Sequence, residues 1–234
     1  MAIVAITGGA GALGSALARV LAQRGDKVAL FDTERSRERA TALAKELGGY
    51  AHVSAFQTGA DFADAVKATA KELGGIPTGA ALIAGGWAGG APVHEAKDDS
   101  EWASMMKSNA DTAFHAMHAL LPGMVEAKGG SIVVIGSRAV ERPWTSAGSA
   151  AYAASKAAVV SLAQTTAAEV LEHHVRVNAV LPSTMDTPAN RKAMPDADPA
   201  KWVSLPSAAG VIAFLLSDDA RDVSGAVIPV YGRA

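Results

Sequence analysis

Short β-branched runs alternate with longer Ala-rich stretches along the whole chain. This alternation limits the fold more than any other feature, because strand-then-helix repetition is what a parallel sheet with crossover helices requires. Residues 2–6, 27–32, 50–56, 79–84, 131–136, 175–181 and 226–230 read as seven strands. Each is largely apolar in character along its length, as strands covered on both faces are. Residues 12–24, 36–47, 60–73, 100–121, 150–173 and 207–217 have the length and Ala/Leu content of helices, and Gly25, Gly48 and Gly74 stand just past three of their ends. The expected fold is therefore α/β: a Rossmann-type, doubly wound parallel sheet of about seven strands with helices on both faces. No linker, repeat or charge block divides the 234 residues, so the expectation is one domain over 1–234. The proline-rich stretch 182–206 follows a strand's C-terminal end, where ligands of open α/β sheets bind, and is the expected substrate loop.

Composition removes several functional classes. With 21 basic and 23 acidic residues the chain has a formal charge of −2 and no basic arm, so nucleic acid is not an expected partner. There is no cysteine, which excludes disulfides, thiolate catalysis and Cys-based metal sites and is compatible with the cytosol. The opening MAIVAITGG has no basic segment and too short an apolar stretch for a signal sequence or a membrane span. A cytoplasmic protein without a membrane anchor is expected.

Two constellations carry chemistry. The first is TGGAGALG, Thr7 through Gly14, between the first strand and the first helix. Glycines there let the backbone approach a pyrophosphate, and the helix start offers free N–H groups and a positive dipole end. Strand two ends at Asp32, eighteen residues beyond Gly14, where a carboxylate can accept from adenosine ribose hydroxyls. The pairing favours NAD(H). A 2′-phosphate would be repelled by Asp32, although Arg35 and Arg37 lie close enough in sequence to keep NADP(H) as the alternative; for both arginines a solvated helix face is the stronger reading.

The second constellation is YAASK, Tyr152 through Lys156, early in the long helix after strand five. Residues four apart share a helix face, so the Lys156 ammonium can sit beside the Tyr152 phenol and favour its ionised form. Ser137, just beyond strand five, is placed to polarise a substrate carbonyl. His115 and His118, three apart in a helix, have no evident carboxylate partner, and no metal site is expected. Trp87, Trp144 and Trp202 fall after strands four, five and six, where indole walls suit a flat heterocycle; covering the core is the competing role.

Taken in order, these motifs resemble the short-chain dehydrogenase/reductase family over essentially the whole chain. The family pattern TGxxx(A/G)xG is matched by Thr7, Gly8, Ala12 and Gly14, its serine by Ser137, and YxxxK by Tyr152 and Lys156. The resemblance implies a catalytic set of Tyr152, Lys156, Ser137 and Asn109, the last within MKSNADTAF and completing a proton relay. It implies cofactor contacts at Gly8, Ala12, Leu13, Gly14, Asp32, Ala84, Gly85 and Lys156, with Pro182 near the nicotinamide, Thr187 at its carboxamide and Asn178 structural. Two departures stand out: IAGG at residues 83–86 replaces the usual Asn-Asn-Ala-Gly, and the Ser137-to-Tyr152 spacing is two residues longer than is common. Residues 84–90 and 181–198 are further similar to segments of dihydropteridine reductases, which implies reduction of a small planar substrate and a site with Trp87, Trp144 and Trp202 around it. Ser137 and Asn109 instead suit a general carbonyl or 3-oxoacyl reductase. An NAD(H)-binding sensor without turnover is the reading from another class, against which the Tyr152–Lys156 pair stands. The two long helices are apolar on more than one face, so a homo-oligomer, dimer or tetramer, is expected.

Overall fold

The computed structural model describes residues 1–233. Among them, β1 (Ile3–Thr7), β2 (Lys27–Asp32), β3 (Tyr50–Val53), β4 (Gly79–Leu82), β5 (Gly130–Ile135), β6 (Val175–Pro182) and β7 (Val227–Val230) form one sheet. Its order is β3-β2-β1-β4-β5-β6-β7, and every pairing is parallel. The chain leaves one edge after β3 and re-enters beside β1 as β4, which makes the β1–β4 boundary the point where strand order reverses and a crevice opens.

Helices cover both faces. On one side α1 (Ala12–Gln23), α2 (Arg37–Leu47) and α9 (Leu205–Leu215) bury Leu17, Leu21, Leu43 and Ile212 against Ile6, Leu30 and Val133. On the other, α3 (Gly59–Leu73), α5 (Thr112–Glu126) and α7 (Ala150–Glu169) bury Phe62, Leu120 and Val159 against Phe31, Leu82 and Ile132. Alternate residues of each strand thus feed two separate cores, which is why the strands read as unbroken apolar runs. Gly48 and Gly74 adopt left-handed conformations that end α2 and α3, as their positions predict.

Four segments differ from the sequence expectation. Strand three stops at Val53 rather than 56, and the chain turns at Phe56 with φ of 48°. The helix expected over 100–121 is α4 (Ser100–Met105), a π-helical turn over Met106–Asp111, and then α5, which runs on through Pro122. The helix expected to reach residue 173 ends at Glu169, followed by a 3-10 turn and a left-handed His174. The substrate stretch is more ordered than its prolines suggest: it forms α8 (Pro188–Ala193), and its ends pair as neighbouring extended segments, with Val203 N–H donating to the Thr184 carbonyl and Asp186 N–H to that of Val203. Asn178, fully buried in β6, donates to the Val223 carbonyl at 2.8 Å and accepts from Ala226 N–H at 3.0 Å, tying the approach to β7 onto its neighbour.

Candidate active site

The glycine loop is shaped by one close approach. A Cβ on Gly14 would stand 2.3 Å from the Gly8 carbonyl oxygen, and Gly8 itself has φ of 66°. The first turn of α1 packs directly on the loop, and Gly11, which precedes the helix, supplies no side-chain cap. The N–H groups of Ala12, Leu13 and Gly14 therefore open the helix with no intrahelical acceptor, which is the donor set a pyrophosphate takes. Gly14→Ala should lower stability by about 1–3 kcal/mol, the cost of overpacking, and weaken NADH binding; thermal melts and a fluorescence titration check both.

Asp32 ends β2 and is nearly buried. One carboxylate oxygen accepts from Ala10 N–H at 2.9 Å and the other from Thr33 N–H at 2.8 Å. Each keeps a further lone pair, and Asp32 lines a cavity of about 380 Å³ with Thr7, Gly8, Ala84 and Gly85. Arg37 is committed elsewhere, its guanidinium paired with Glu34 on the surface at 2.5 and 2.8 Å. Phe31, Phe56 and Gln57 also line the cavity, and the Phe31 and Phe56 rings stack at 5.8 Å. These residues were not among the sequence candidates, since a left-handed phenylalanine after a strand leaves no pattern in sequence.

The ends of β1 and β4 are joined by Ala84 N–H donating to Thr7 Oγ1 at 3.0 Å. Beyond them Gly85 lies against both Asn109 and Lys156: a Cβ there would sit 2.4 Å from Asn109 Oδ1 and 3.2 Å from Lys156 Nζ. This accounts for a glycine in IAGG. The π-helical turn widens the helix at Asn109 and turns its amide inward. Asn109 Oδ1 accepts from Gly86 N–H at 3.0 Å, and its Nδ2 donates to the Gly86 carbonyl at 3.1 Å and to Ser155 Oγ at 2.9 Å. Ser155 in turn donates to the Tyr152 carbonyl. These bonds of the Asn109 side chain hold the β4 loop to α7.

Lys156 is buried, and its ammonium donates to the Ile135 carbonyl at 2.9 Å. Burial lowers its pKa to about 8. Burial also raises the Tyr152 phenol, while the nearby Ser137 side chain pulls it partly back. The expected lowering of the phenol by Lys156 is not the governing effect here, because loss of water penalises phenolate and ammonium alike. Ser137 nonetheless reaches Tyr152. The two extra residues between them are absorbed by a short helix, α6 (Arg138–Glu141), capped by Ser137 Oγ, and by a 3-10 turn over Pro143–Ser146.

The remaining candidates are dispersed. Pro182 ends β6 in register with Val230, and Thr187 Oγ1 accepts from Asn190 N–H to cap α8. Trp87 and Trp144 are 65% and 74% exposed, and Trp202 is half-buried. None of these five lines the cavity beside Asp32.

Comparison with known proteins agrees with this architecture. The profile of the short chain dehydrogenase family matches residues 2–198. The chain is 30% identical to the 2,5-dichloro-2,5-cyclohexadiene-1,4-diol dehydrogenase of Sphingobium indicum, over 98% of this chain and 94% of that one. It is 34% identical to 2-(S)-hydroxypropyl-CoM dehydrogenase 3 of Xanthobacter autotrophicus, over 98% and 95%. Among solved structures, levodione reductase superposes with a TM-score of 0.88 at 28% identity, covering 99% of this chain and 96% of that one. Parallel sheet, glycine loop and family profile together make this chain a member of the short-chain dehydrogenase/reductase family of NAD(P)-dependent oxidoreductases.

Proposed function

We propose that the protein interconverts a small ketone and its secondary alcohol with NAD(H) as cofactor. The placement of Ser137, just past the end of β5 and close enough to Tyr152 to lower its phenol's pKa, carries this reading. Two neighbouring hydroxyls can both face one carbonyl oxygen, where negative charge develops during reduction. When bound, a nicotinamide would supply or accept the hydride; the chain's own residues handle the rest. Tyr152, its pKa raised, holds the proton that the oxygen receives. Lys156 stands one helical turn away as the buried cation that favours the phenolate left behind, and Asn109 keeps Gly85 and Gly86 against it. Ala12, Leu13 and Gly14 would offer amides to the pyrophosphate, Ala84 and Gly85 would border the cofactor, and Pro182 and Thr187 would hold the nicotinamide end. Two of the similar proteins are named for alcohols, a diol and a hydroxypropyl-CoM, which supports the substrate class.

Reduction of a planar pterin is a second reading, favoured by the exposed Trp87 in its glycine-rich loop and the resemblance of residues 84–90 and 181–198 to dihydropteridine reductases. Trp144 and Trp202 would then complete an aromatic surround. Following NADH oxidation with a ketone panel beside a quinonoid dihydropterin separates the two, and inactivity on all of them favours the sensor. We further infer one catalytic unit over 1–234 with 182–206 as substrate loop, acting as a cytoplasmic homo-oligomer; sedimentation tests the assembly.

Asp32 supports NAD(H) over NADP(H), since its carboxylate faces the channel and Arg37 is already paired. Asp32→Ala is expected to raise the NADH KM at least about tenfold, for loss of a charged hydrogen bond of about 1.5–3 kcal/mol, and to narrow discrimination against NADPH. Steady-state kinetics with both cofactors reads this directly; an unchanged preference would remove the assignment.

A further inference from the structure

Arg138 follows Ser137 directly, and Arg142 lies one turn later, just past the end of α6. Between them Glu141 is turned to the C-terminal segment: Tyr231, one residue beyond β7, donates its hydroxyl to Glu141 Oε2 at 2.5 Å. The Arg142 guanidinium carbon lies 5.3 Å from the centre of the Tyr231 ring, and the Arg138 charge weakly favours ionisation of the same phenol. The Tyr231 carbonyl accepts from Ser183 Oγ at 2.7 Å, next to Pro182. The cluster therefore stands at the carboxyl ends of β5, β6 and β7, beside the Ser137–Tyr152 pair and on the edge where open α/β sheets take their ligands.

Its charges do not balance. Two arginines flank one carboxylate in the sequence of α6 and its end, and that carboxylate accepts from a phenol whose pKa is pushed up to about 12, so the O–H stays in place across the working range. Among the described residues, neither Arg138 nor Arg142 has a carboxylate oxygen within 4.0 Å, as is also true of Arg35, Arg39, Arg176 and Arg233. Neither guanidinium donates a hydrogen bond to a described residue. The Tyr231 ring also braces Arg142 by a cation–π contact.

We propose that Arg138 and Arg142 receive an anionic oxygen group, a carboxylate in the simplest case, at the far end of the substrate whose carbonyl meets Ser137 and Tyr152. This rests on the ketone reading and names its substrate class. A planar guanidinium matches a carboxylate with two parallel N–H donors, so the pair acts as a specificity element as well as a charge. Tyr231 is a positioning residue: by holding Glu141, it prevents internal neutralisation of the arginines.

The test uses aromatic keto acids with one to three methylenes between carbonyl and carboxylate, each beside its methyl ester, with NADH and the intact chain. At the best spacing kcat/KM for the acid should exceed that for the ester at least about tenfold, the order expected for one charged hydrogen bond. Arg142→Gln and Arg138→Gln should each shrink that ratio, Arg142→Lys should recover part of it, and Tyr231→Phe, which frees Glu141, should reduce it several-fold with both arginines present. NADH titration and melting confirm that each variant is folded. Equal turnover of acid and ester at every spacing, or a ratio unmoved by the arginine variants, overturns the anionic-substrate inference and leaves ketone reduction standing. If no ketone is reduced in either form while NADH still binds, the ketone reading fails and this inference with it.

Discussion

Tyr152→Phe is expected to lower kcat for ketone reduction by about 10³-fold while leaving the NADH dissociation constant within about twofold, since proton transfer by a positioned side chain contributes roughly 10²–10⁴. The phenol is the acid in the proposed reaction, and its buried position keeps it protonated well into the alkaline range. Phenylalanine preserves the ring's packing on α7 and deletes only the hydroxyl, so a folded but silent enzyme is the result to look for. Ser137→Ala should cost less, because Ser137 accompanies the donor and does not hold the transferred proton. Retention of turnover in the Tyr152 variant, read by NADH oxidation under saturating ketone, would remove Tyr152 from the chemistry.

Lys156→Met is expected to silence the enzyme and stabilise the fold. Holding an ammonium in this dry position lowers its pKa from 10.5 to about 8, a penalty of about 3 kcal/mol at neutral pH. Methionine removes that penalty and leaves the Ile135 carbonyl without its donor, at about 1–3 kcal/mol. The net expectation at pH 7 is a gain of about 1 kcal/mol, visible in chemical denaturation. Its pH dependence has a definite sign. The folded pKa lies below that of the unfolded chain, so between about pH 8 and 10.5 the unfolded state binds more protons and wild-type stability rises with pH. Below about pH 8 both states carry the proton and the penalty is constant. The methionine variant lacks this rise, and the two curves should converge and then cross as pH increases. Catalysis runs the other way: kcat/KM for reduction should fall above about pH 8, as Lys156 loses the charge that supports the phenolate. A flat profile through pH 9 would separate Lys156 from the proton step.

The parallel sheet was legible because the strands carry apolar residues on both faces. Ile132 and Val133 face opposite cores, and only a strand covered on both sides needs both to be apolar. The glycine loop was legible for a similar reason: at Gly14 the backbone of Gly8 leaves no space for a Cβ, so the requirement is written in the residue type itself. The π-helical turn at Asn109 was not legible. Residues 100–121 have helical composition throughout, and the extra residue in the turn is stabilised by the distant Gly86 and Ser155, which no local pattern announces. Phe56 escaped notice because its left-handed backbone is imposed by packing against Phe31 and Phe62.

Sheet type, crossover pattern, the glycine loop and the Tyr152–Lys156 spacing follow from residue type and separation alone, since each rests on short-range sterics or strand periodicity. The Ser137–Tyr152 contact across a longer loop, the depressed pKa of Lys156 and the alignment of Arg138, Arg142, Glu141 and Tyr231 do not. They arise where segments remote in the chain exclude water from one another, and desolvation is a property of the assembled fold that no single stretch of residues carries.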